Sequence, residues 1–345
     1  MDKPTKQLTI KRSWLLLVIV AAFILGMLVR CPSLRAELLG FAGWSEHDTL
    51  RLAAYEGDVG ALEWIAHDKG FFEQAGLTVD IKGYASGKEA GDALRSGLAD
   101  VSTASEFVLA TRSFAEPDLR VLANISYYRN KGIVARRDRG IVIPADLKGK
   151  KIGVTSPSGA EYALYVFLAL NGLTPQDATL INLSPKQLIE ATAAGRIDAA
   201  ITWQPHVQEI EKSLGANGVS FQGNGFDTFL LLLARQETVT AHSRALKKML
   251  RGLMLAEEWV RANPEEAQKY VAQRFGLSRD YVTAQWGSMQ LAVNLPQDLM
   301  TALDGEARWL VGKSGADKAI PNYSDYIWRG GLEAVKPSTV TLLSR

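Results

Sequence analysis

A fifteen-residue pattern occurs twice in this chain, and the second copy begins at Ser184, 98 positions after the first begins at Ser86. Each copy predicts a helix that starts at a serine N-cap and ends at a glycine, and an aspartate and a strand follow. The shared positions are Ser86, Lys88, Glu89, Ala93, Gly97 and Asp100, which recur as Ser184, Lys186, Gln187, Ala191, Gly195 and Asp198. Alternating strands and helices are typical of parallel α/β sheets, so two such units predict two similar lobes.

Lys150–Asn171 predicts a strand that leads directly into a helix. The strand is expected at 151–155 and the apolar helix at 160–171, with the turn Ser156-Pro157-Ser158-Gly159 between them. Ser158 and Glu161 have the spacing of a capping box. The free N–H groups at such a helix start suit an anion or a polar ligand head, and ligands of α/β sheets bind beyond the carboxyl ends of strands.

Composition places the chain among ordinary globular proteins. It has 345 residues, enough for two lobes, with 47% hydrophobic and 22% charged residues. The net charge of +2 does not suggest nucleic acid as a partner. Cys31 is the single cysteine and the four histidines are scattered, so neither an internal disulfide nor a metal cluster is predicted, and no cofactor is expected.

The N-terminus predicts a membrane-crossing segment. Residues 1–13 form a basic cytoplasmic segment, residues 14–30 a signal peptide or transmembrane anchor, and residues 31–47 a linker. The uncharged run is longer than a typical signal core and slightly short for a spanning helix, so both interpretations stay open. Leu34-Arg35-Ala36 lacks the small residue expected at a cleavage site. In either case, the chain from Asp48 onward is expected outside the cytoplasm, in the periplasm or on the outer face of the inner membrane.

Four short segments of the sequence resemble motifs of a known protein family. They are Ile65–Phe72 (IAHDKGFF), Gly97–Asp100 (GLAD), Asp146–Gly153 (DLKGKKIG) and Gly195–Ala200 (GRIDAA). With them, the chain from about residue 50 to 262 resembles the solute-binding proteins of ABC transporters of the nitrate, sulfonate and taurine type, which include thiamine-pyrimidine-like members. The resemblance implies a type II periplasmic-binding fold, in which two lobes close by a hinge on a small ligand and the closed form docks on a membrane permease served by ATPase subunits.

The resemblance also implies domain bounds and a ligand site. Lobe 1 would comprise residues 48–127 and 228–345, lobe 2 would comprise residues 128–227, and the ligand cleft would lie between them. The strand-end turns would face the ligand through Tyr55, Glu56, Ser102, Thr103, Ser105, Ser156, Ser158, Gly159, Thr202, Trp203, Asp227 and Thr228. Simpler interpretations exist for some of these positions: Trp203 as a core aromatic residue, Glu56 as a solvated carboxylate, and Ser158 as a helix cap.

The resemblance implies a binding protein that captures a small polar or anionic solute, rather than an enzyme. One alternative is a membrane-anchored sensor or adaptor with the same fold. Another is an enzyme of the pyrimidine-synthesis type, although the cysteine-rich motif of that enzyme is absent from this sequence. The chain also lacks the histidine that some members of the family have just after the Ser-Gly turn. The sequence leaves the identity of the solute open.

Overall fold

The computed structural model describes residues 48–223, 226–315 and 317–343. The predicted basic segment, hydrophobic helix and linker at 1–47 lie outside the described residues. In the part of the chain that the structure describes, no helix combines the length and the apolar character needed to span a membrane.

Eleven strands within these residues form two sheets. The strands are β1 (Asp48–Tyr55), β2 (Leu77–Tyr84), β3 (Val101–Ser105), β4 (Leu119–Arg129), β5 (Lys131–Arg136), β6 (Lys151–Val154), β7 (Thr179–Asn182), β8 (Ala199–Trp203), β9 (Gly218–Phe221), β10 (Asp227–Arg235) and β11 (Met289–Asn294). The first sheet has the order β11-β4-β10-β3-β1-β2, and the second has the order β7-β6-β8-β5-β9. Two lobes, each built on one sheet, follow from this division.

Both sheets are mixed rather than wholly parallel. The expected parallel pairs are present, β1 with β3 in the first sheet and β6 with β7 and β8 in the second. In the first sheet β10 is antiparallel to β3 and β4, and in the second β5 is antiparallel to β8 and β9. The chain crosses from one sheet to the other at Asn130, between β4 and β5, and returns between Phe221 and Asp227. The predicted lobe bounds at 127/128 and 227/228 stay a prediction, and Tyr128 and Arg129 are the last two residues of β4.

The helices of the described residues cover both sheets. They are α1 (Ala61–Asp68), α2 (Phe71–Gln74), α3 (Gly87–Arg95), α4 (Glu106–Arg112), α5 (Gly159–Leu170), α6 (Pro185–Ala193), α7 (His206–Leu214), α8 (Gln236–Ala241), α9 (Ser243–Ala262), α10 (Pro264–Arg274), α11 (Arg279–Trp286), α12 (Gln297–Ser314) and α13 (Arg329–Val335). From about Gln236 to Gly312 the sequence predicts a mostly helical chain, and strand β11 interrupts the helices there. Met289–Leu291 and Asn294 pair with β4 at the edge of the first sheet, a tertiary contact that local propensity does not encode.

The three predicted serine caps begin their helices. The hydroxyls of Ser86, Ser158 and Ser184 accept hydrogen bonds from the backbone N–H three residues on. Only Ser184 has the complete capping box, because the Gln187 side chain returns to its backbone N–H at 3.0 Å. The prediction of a complete box at Ser158 is wrong: the Glu161 carboxylate turns instead towards Ser156 and Lys313.

The cores of the two lobes follow from the apolar pattern of their elements. Strand β10 contains four consecutive leucines, Leu230–Leu233, each at most 2% exposed. A continuous apolar run fits a central strand that is covered on both faces. In the second lobe, helix α5 packs on its sheet through Ala160, Leu164 and Phe167, which have helical spacing.

Candidate functional site

A cluster of polar side chains lies where the two sheets meet. It comprises Glu106, Tyr128, Lys131, Thr228 and Glu306, here called the inter-lobe cluster, and each of the five is at most 8% exposed. Three come from the first sheet or from the helix that follows β3, and Lys131 is the first residue of β5 in the second sheet. Glu306 comes from α12. The cluster therefore joins segments that are far apart in the sequence.

Lys131 is the residue of the second lobe at the centre of the cluster. Its ammonium donates a hydrogen bond to the Thr228 hydroxyl, across the crossing between the sheets. A Cβ placed on Gly159 would lie 3.5 Å from the Cε of Lys131, so the start of α5 packs directly on the lysine. Trp203 is its partner in the β5–β8 register. Two of the predicted ligand positions, Gly159 and Thr228, thus contact Lys131, whereas Trp203 is its neighbour through the strand backbone.

The two glutamates of the cluster hold protons more tightly than exposed glutamates do. Burial raises the pKa of Glu106 to about 7, against the opposing attraction of Lys131 and a hydrogen bond that the Phe229 N–H donates at 3.0 Å. Burial, and next the charge of Glu106, raise the pKa of Glu306 well above its usual range. Burial lowers the pKa of Lys131, while the negative charges of both glutamates raise it. A buried lysine between two buried carboxyl groups favours one ionised glutamate and one protonated glutamate near neutral pH.

Helix α12 brings Glu306 and a set of aromatic rings to the second lobe. The Trp309 ring lies 6.1 Å from Phe107, 5.7 Å from Tyr162 and 5.2 Å from Tyr165, measured between ring centroids. A Cβ on Gly305 would lie only 2.8 Å from the Tyr162 hydroxyl oxygen, so a glycine permits this close approach of α12 to α5. The aromatic cover, defined as Phe107, Tyr162, Tyr165 and Trp309, therefore joins both lobes beside the cluster.

The predicted turn at Ser156–Gly159 lies under the end of α12. The Lys313 ammonium donates to Glu161 Oε1 at 2.5 Å and to Ser156 Oγ at 3.1 Å, and Ser156 Oγ donates to Glu161 Oε2 at 2.8 Å. The Ser158 hydroxyl donates to the Thr155 carbonyl and accepts from the Glu161 N–H. Both serine hydroxyls are therefore engaged within the protein in this conformation.

A second polar group forms behind the end of β1. The Thr103 hydroxyl accepts from the Tyr55 N–H at 2.8 Å and donates to the buried Glu63 carboxylate at 3.0 Å. Tyr281 donates to Asp58 at 3.0 Å. Burial, followed by the charge of Asp58, raises the pKa of Tyr55 to about 12. Burial raises the pKa of Tyr128 well above its usual value. The negative charges of Glu106, Tyr55, Asp58 and Glu306 raise this pKa further. Tyr128 therefore connects the polar group behind β1 to the inter-lobe cluster.

The remaining predicted positions have other surroundings. Glu56 pairs with Arg274 at 3.1 Å and Asp227 pairs with Arg129 at 2.8 Å, and both carboxylates are partly exposed. Trp203 packs against the core of the second lobe, with its ring 6.2 Å from that of His206. Ser105 is half-buried at the start of α4, and Ser102 and Thr202 are fully buried within their strands. The structure thus does not bring Glu56 or Asp227 into the cluster, and their roles towards a ligand stay predictions.

A polar pocket of about 220 Å³ opens beside the crossing between the sheets. It is lined by Arg129, Asn130, Lys131, Gln204, Gln222, Ala284, Gln285 and Ser288. Lys131 thus belongs to both the pocket and the inter-lobe cluster. Amide and hydroxyl side chains around a small pocket provide both hydrogen-bond donors and acceptors to a polar solute.

Sequence reasoning missed Glu106, Lys131 and Glu306, although two signals were present. Glu106 directly follows the predicted turn that ends at Ser105, so the predicted site stopped one residue short. Glu306 falls on the buried face of α12 with Leu299 and Leu303. A charged residue on an apolar helix face is uncommon and is a recognisable sign of a buried polar site. Nothing in the local pattern around Lys131 indicates its burial.

No group of three or more histidine, cysteine, aspartate or glutamate side chains with metal-binding geometry occurs in residues 48–223, 226–315 and 317–343. The buried carboxyl groups described above are accompanied by a lysine and by tyrosines rather than by further metal ligands. The arrangement suits reversible binding of a polar molecule by charge and hydrogen bonds.

Comparison with known proteins gives three kinds of similarity. Residues 61–267 match the model of the family described as NMT1/THI5 like. A putative binding protein of Brucella abortus (strain 2308) is 28% identical over 215 residues, which cover 61% of this chain and 66% of that protein. The taurine-binding periplasmic protein of Escherichia coli (strain K12) is 27% identical over 215 residues, which cover 61% of this chain and 67% of that protein.

Among solved structures, the periplasmic aliphatic sulphonate binding protein SsuA from Escherichia coli superposes with a TM-score of 0.71. The match covers 83% of this chain and 99% of that structure, at 17% sequence identity. Similarity at this level of identity concerns the fold. The two-lobed type II periplasmic-binding fold predicted from the sequence is therefore confirmed for the described residues.

Proposed function

The chain belongs to the NMT1/THI5-like family, and from this premise we propose that it is the extracytoplasmic solute-binding component of an ABC importer. In this proposal the two lobes capture a small polar solute between them, and the closed form delivers it to a membrane permease powered by ATPase subunits. The taurine-binding periplasmic protein among its relatives supports a role in solute uptake.

The observation that carries the proposal is the inter-lobe cluster itself. Its members come from both lobes, are almost fully buried, and leave Glu306 Oε2 without a hydrogen-bond partner among the described residues. Buried polar atoms usually have partners, because an unsatisfied buried group costs about 1–3 kcal/mol. A solute between the lobes would supply such partners, and closure would exclude water from its polar groups.

Selectivity in this proposal comes from the same physical cost. A solute that fits satisfies the polar groups that closure buries, whereas the wrong solute leaves them unpaired. The start of α5 at Gly159, the Lys131 ammonium and the Thr228 hydroxyl are the groups that we propose contact the solute first. The aromatic cover then packs over its apolar part.

The proposed function is tested by thermal unfolding of the purified full-length protein, followed by intrinsic tryptophan fluorescence. The panel contains alkanesulfonates, taurine, nitrate, bicarbonate, aromatic carboxylates, thiamine and the thiamine pyrimidine. A solute present at about a hundred times its dissociation constant adds about 2.7 kcal/mol to the free energy of unfolding. We therefore expect one chemical class to raise the melting temperature by several degrees.

Two outcomes would contradict the proposal. One is a panel in which no compound raises the melting temperature of a cooperatively unfolding protein. The other is chemical turnover of any panel compound by the purified protein, which would favour an enzyme of the pyrimidine-synthesis type.

We further propose that the N-terminal segment at residues 14–30 tethers the protein to the outer face of the cytoplasmic membrane. The basic residues before this segment would stay in the cytoplasm. Leu34 lies at the −3 position of a cleavage site after Ala36, where a small residue is expected, and this disfavours cleavage there. A tether keeps the binding protein close to its permease and raises its effective concentration there.

A further inference from the structure

One face of helix α12 presents two buried polar atoms that lack partners. Glu306 Oε2 and Trp309 Nε1 are both buried, and neither has a hydrogen-bond partner among the residues that the structure describes. The two residues are three positions apart, which places them on the same side of the helix. Trp309 contacts Phe107, the neighbour of Glu106, and Tyr162 of the second lobe. The unpartnered atoms therefore lie at the junction of the lobes.

The two atoms require opposite kinds of partner. An ionised carboxylate only accepts hydrogen bonds, whereas an indole N–H only donates them. A molecule that satisfies both must carry a donor, preferably a charged one, together with an acceptor. This requirement already restricts the solutes that the site can hold.

The charges around Glu306 favour a positive donor. Glu106 and Glu306 are two carboxyl groups, and the positive charge of Lys131 acts on both of them. The Lys131 ammonium donates to Thr228, and no hydrogen bond joins it to either glutamate within the described residues. With one glutamate ionised and one protonated, the charges of the two glutamates and Lys131 sum to zero. A solute cation lets the second glutamate ionise and keeps this buried region neutral, whereas an anion would leave it with a net negative charge.

The aromatic cover has the matching chemistry. The Trp309 face already has a cation nearby, since the Lys313 Nζ lies 5.1 Å from the ring centroid. The Tyr162 and Tyr165 rings meet Trp309 edge-on, at interplanar angles of 63° and 78°. Aromatic faces attract cations, so an aromatic ring one helical turn from the Glu306 carboxylate favours an organic ammonium group over an anion.

We propose that Glu306, assisted by Glu106, recognises a positively charged nitrogen of the solute, so that the protein selects aminated solutes over simple oxoanions. The inference rests on the proposed function and names the ligand class of the same site. The solute carries an ammonium or a protonated nitrogen that binds Glu306 and an acceptor that receives the Trp309 N–H. A zwitterion, which carries both kinds of group, meets both requirements.

The solutes that test the proposal differ in a single group. Taurine and isethionate share an ethanesulfonate body and differ in an ammonium against a hydroxyl group. β-Alanine and 3-hydroxypropionate form the same contrast on a carboxylate. Each compound is titrated into the full-length protein by isothermal calorimetry, with nitrate as a simple oxoanion. We expect the aminated member of at least one pair to bind about tenfold more tightly than its hydroxyl counterpart. The hydroxyl compound cannot form the charged hydrogen bond between an ammonium group and Glu306.

Two substitutions on α12 provide the matched variants. Glu306→Gln keeps the shape of the side chain and removes its charge, and we expect it to abolish the preference for the aminated member of the pair. Asp304→Asn lies two residues away on the same helix, in an exposed pair with Arg308, and is expected to leave the preference unchanged. If Glu306→Gln fails to fold, Glu106→Gln is expected to reduce the same preference.

The outcomes separate this inference from the proposed function. Binding of nitrate or of the hydroxyl compounds without preference for the aminated ones overturns the inference and leaves the solute-binding function standing. An unchanged preference in both folded glutamate variants also overturns it. The inference is also overturned if no compound of either pair binds and the solute of the thermal panel that does bind is bicarbonate or an aromatic carboxylate without a positively charged nitrogen. Failure of all compounds in both experiments contradicts the proposed function itself.

Discussion

At Glu106, the burial of a single carboxyl group changes how the whole protein responds to pH. The residue is 2% exposed, and its pKa rises to about 7 because burial penalises the charged form more than Lys131 and the Phe229 N–H stabilise it. In the unfolded chain the same group titrates near 4.5. The folded state therefore keeps a proton that the unfolded state releases between these two pH values.

The free energy of unfolding is expected to fall as pH rises through this range. Below pH 4.5 both states hold the proton, and Glu106 contributes no pH dependence. As pH rises from 4.5 to 7, the unfolded state binds fewer protons than the folded state, so the free energy of unfolding falls. We expect Glu106→Gln to flatten this part of the curve, as measured by urea denaturation at pH 4.5, 5.5, 6.5 and 7.5.

Glu56→Gln is the control for this measurement, because that side chain is 47% exposed and solvated. It should retain the decline of the parent protein. A decline of the same size in Glu106→Gln would show that Glu106 is not the titrating group. The pKa of Glu306 is raised in the same direction, so part of the decline above pH 4.5 remains in the variant.

At the scale of elements, α12 decides how the two lobes are joined. The helix begins beside the first sheet and packs on α4 there, while its other end reaches α5 of the second lobe. Lys313 lies 2.5 Å from Glu161, whose side chain is only 5% exposed. The amphipathic pattern of α12 predicts a packed helix, but it does not indicate which second surface the helix covers.

Lys313→Ala is expected to destabilise the protein by about 2 kcal/mol, because the nearly buried Glu161 carboxylate then keeps the Ser156 hydroxyl as its one side-chain partner among the described residues. The measurement is the free energy of unfolding in urea. Lys88→Ala is the matched control: Lys88 is 77% exposed and pairs with Asp92 at 3.0 Å on the surface of α3. That loss should stay within about 0.5 kcal/mol. Equal effects of the two substitutions would contradict a stabilising role for the contact between α12 and α5.

At the scale of the whole molecule, the chain passes between two sheets twice, and the candidate site is built where it crosses. Asn130 separates β4 of the first sheet from β5 of the second, and the return leads to Asp227. Segments from residue 106, 131, 228 and 306 meet only because these crossings place the ends of their elements together. A two-lobed protein with short crossings can close by a hinge motion in which few residues change conformation.

The proposed membrane tether is a property of the whole chain and is tested on it. We expect the full-length protein to remain in the membrane pellet after washing with high salt, and mass spectrometry to show residues 14–30 intact, because the lipid hydrocarbon holds an apolar segment of this kind. A variant with two leucines of the run, Leu15 and Leu16, replaced by arginine should lose membrane retention. Recovery of a shortened, soluble form of the parent protein would instead identify a cleaved signal peptide.

Several levels of this structure were predictable from the residues alone. The serine caps at Ser86, Ser158 and Ser184 and the strands around them depend on interactions within a few positions, so local patterns encode them. The repeated fifteen-residue pattern and the segments that resemble the family predicted the two-lobed fold. The position of Glu161 was mispredicted because a cation from α12 competes with the local capping contact.

Local sequence patterns encode the capped helices after Ser86, Ser158 and Ser184 and the division of the chain into two α/β units, because their signals extend over short intervals. Glu106, Lys131 and Glu306 become one buried group only through the tertiary fold, in which Glu56 and Asp227 pair with arginines instead. The reason is physical: the protonation and partners of these groups depend on burial and on charges contributed by segments distant in the chain.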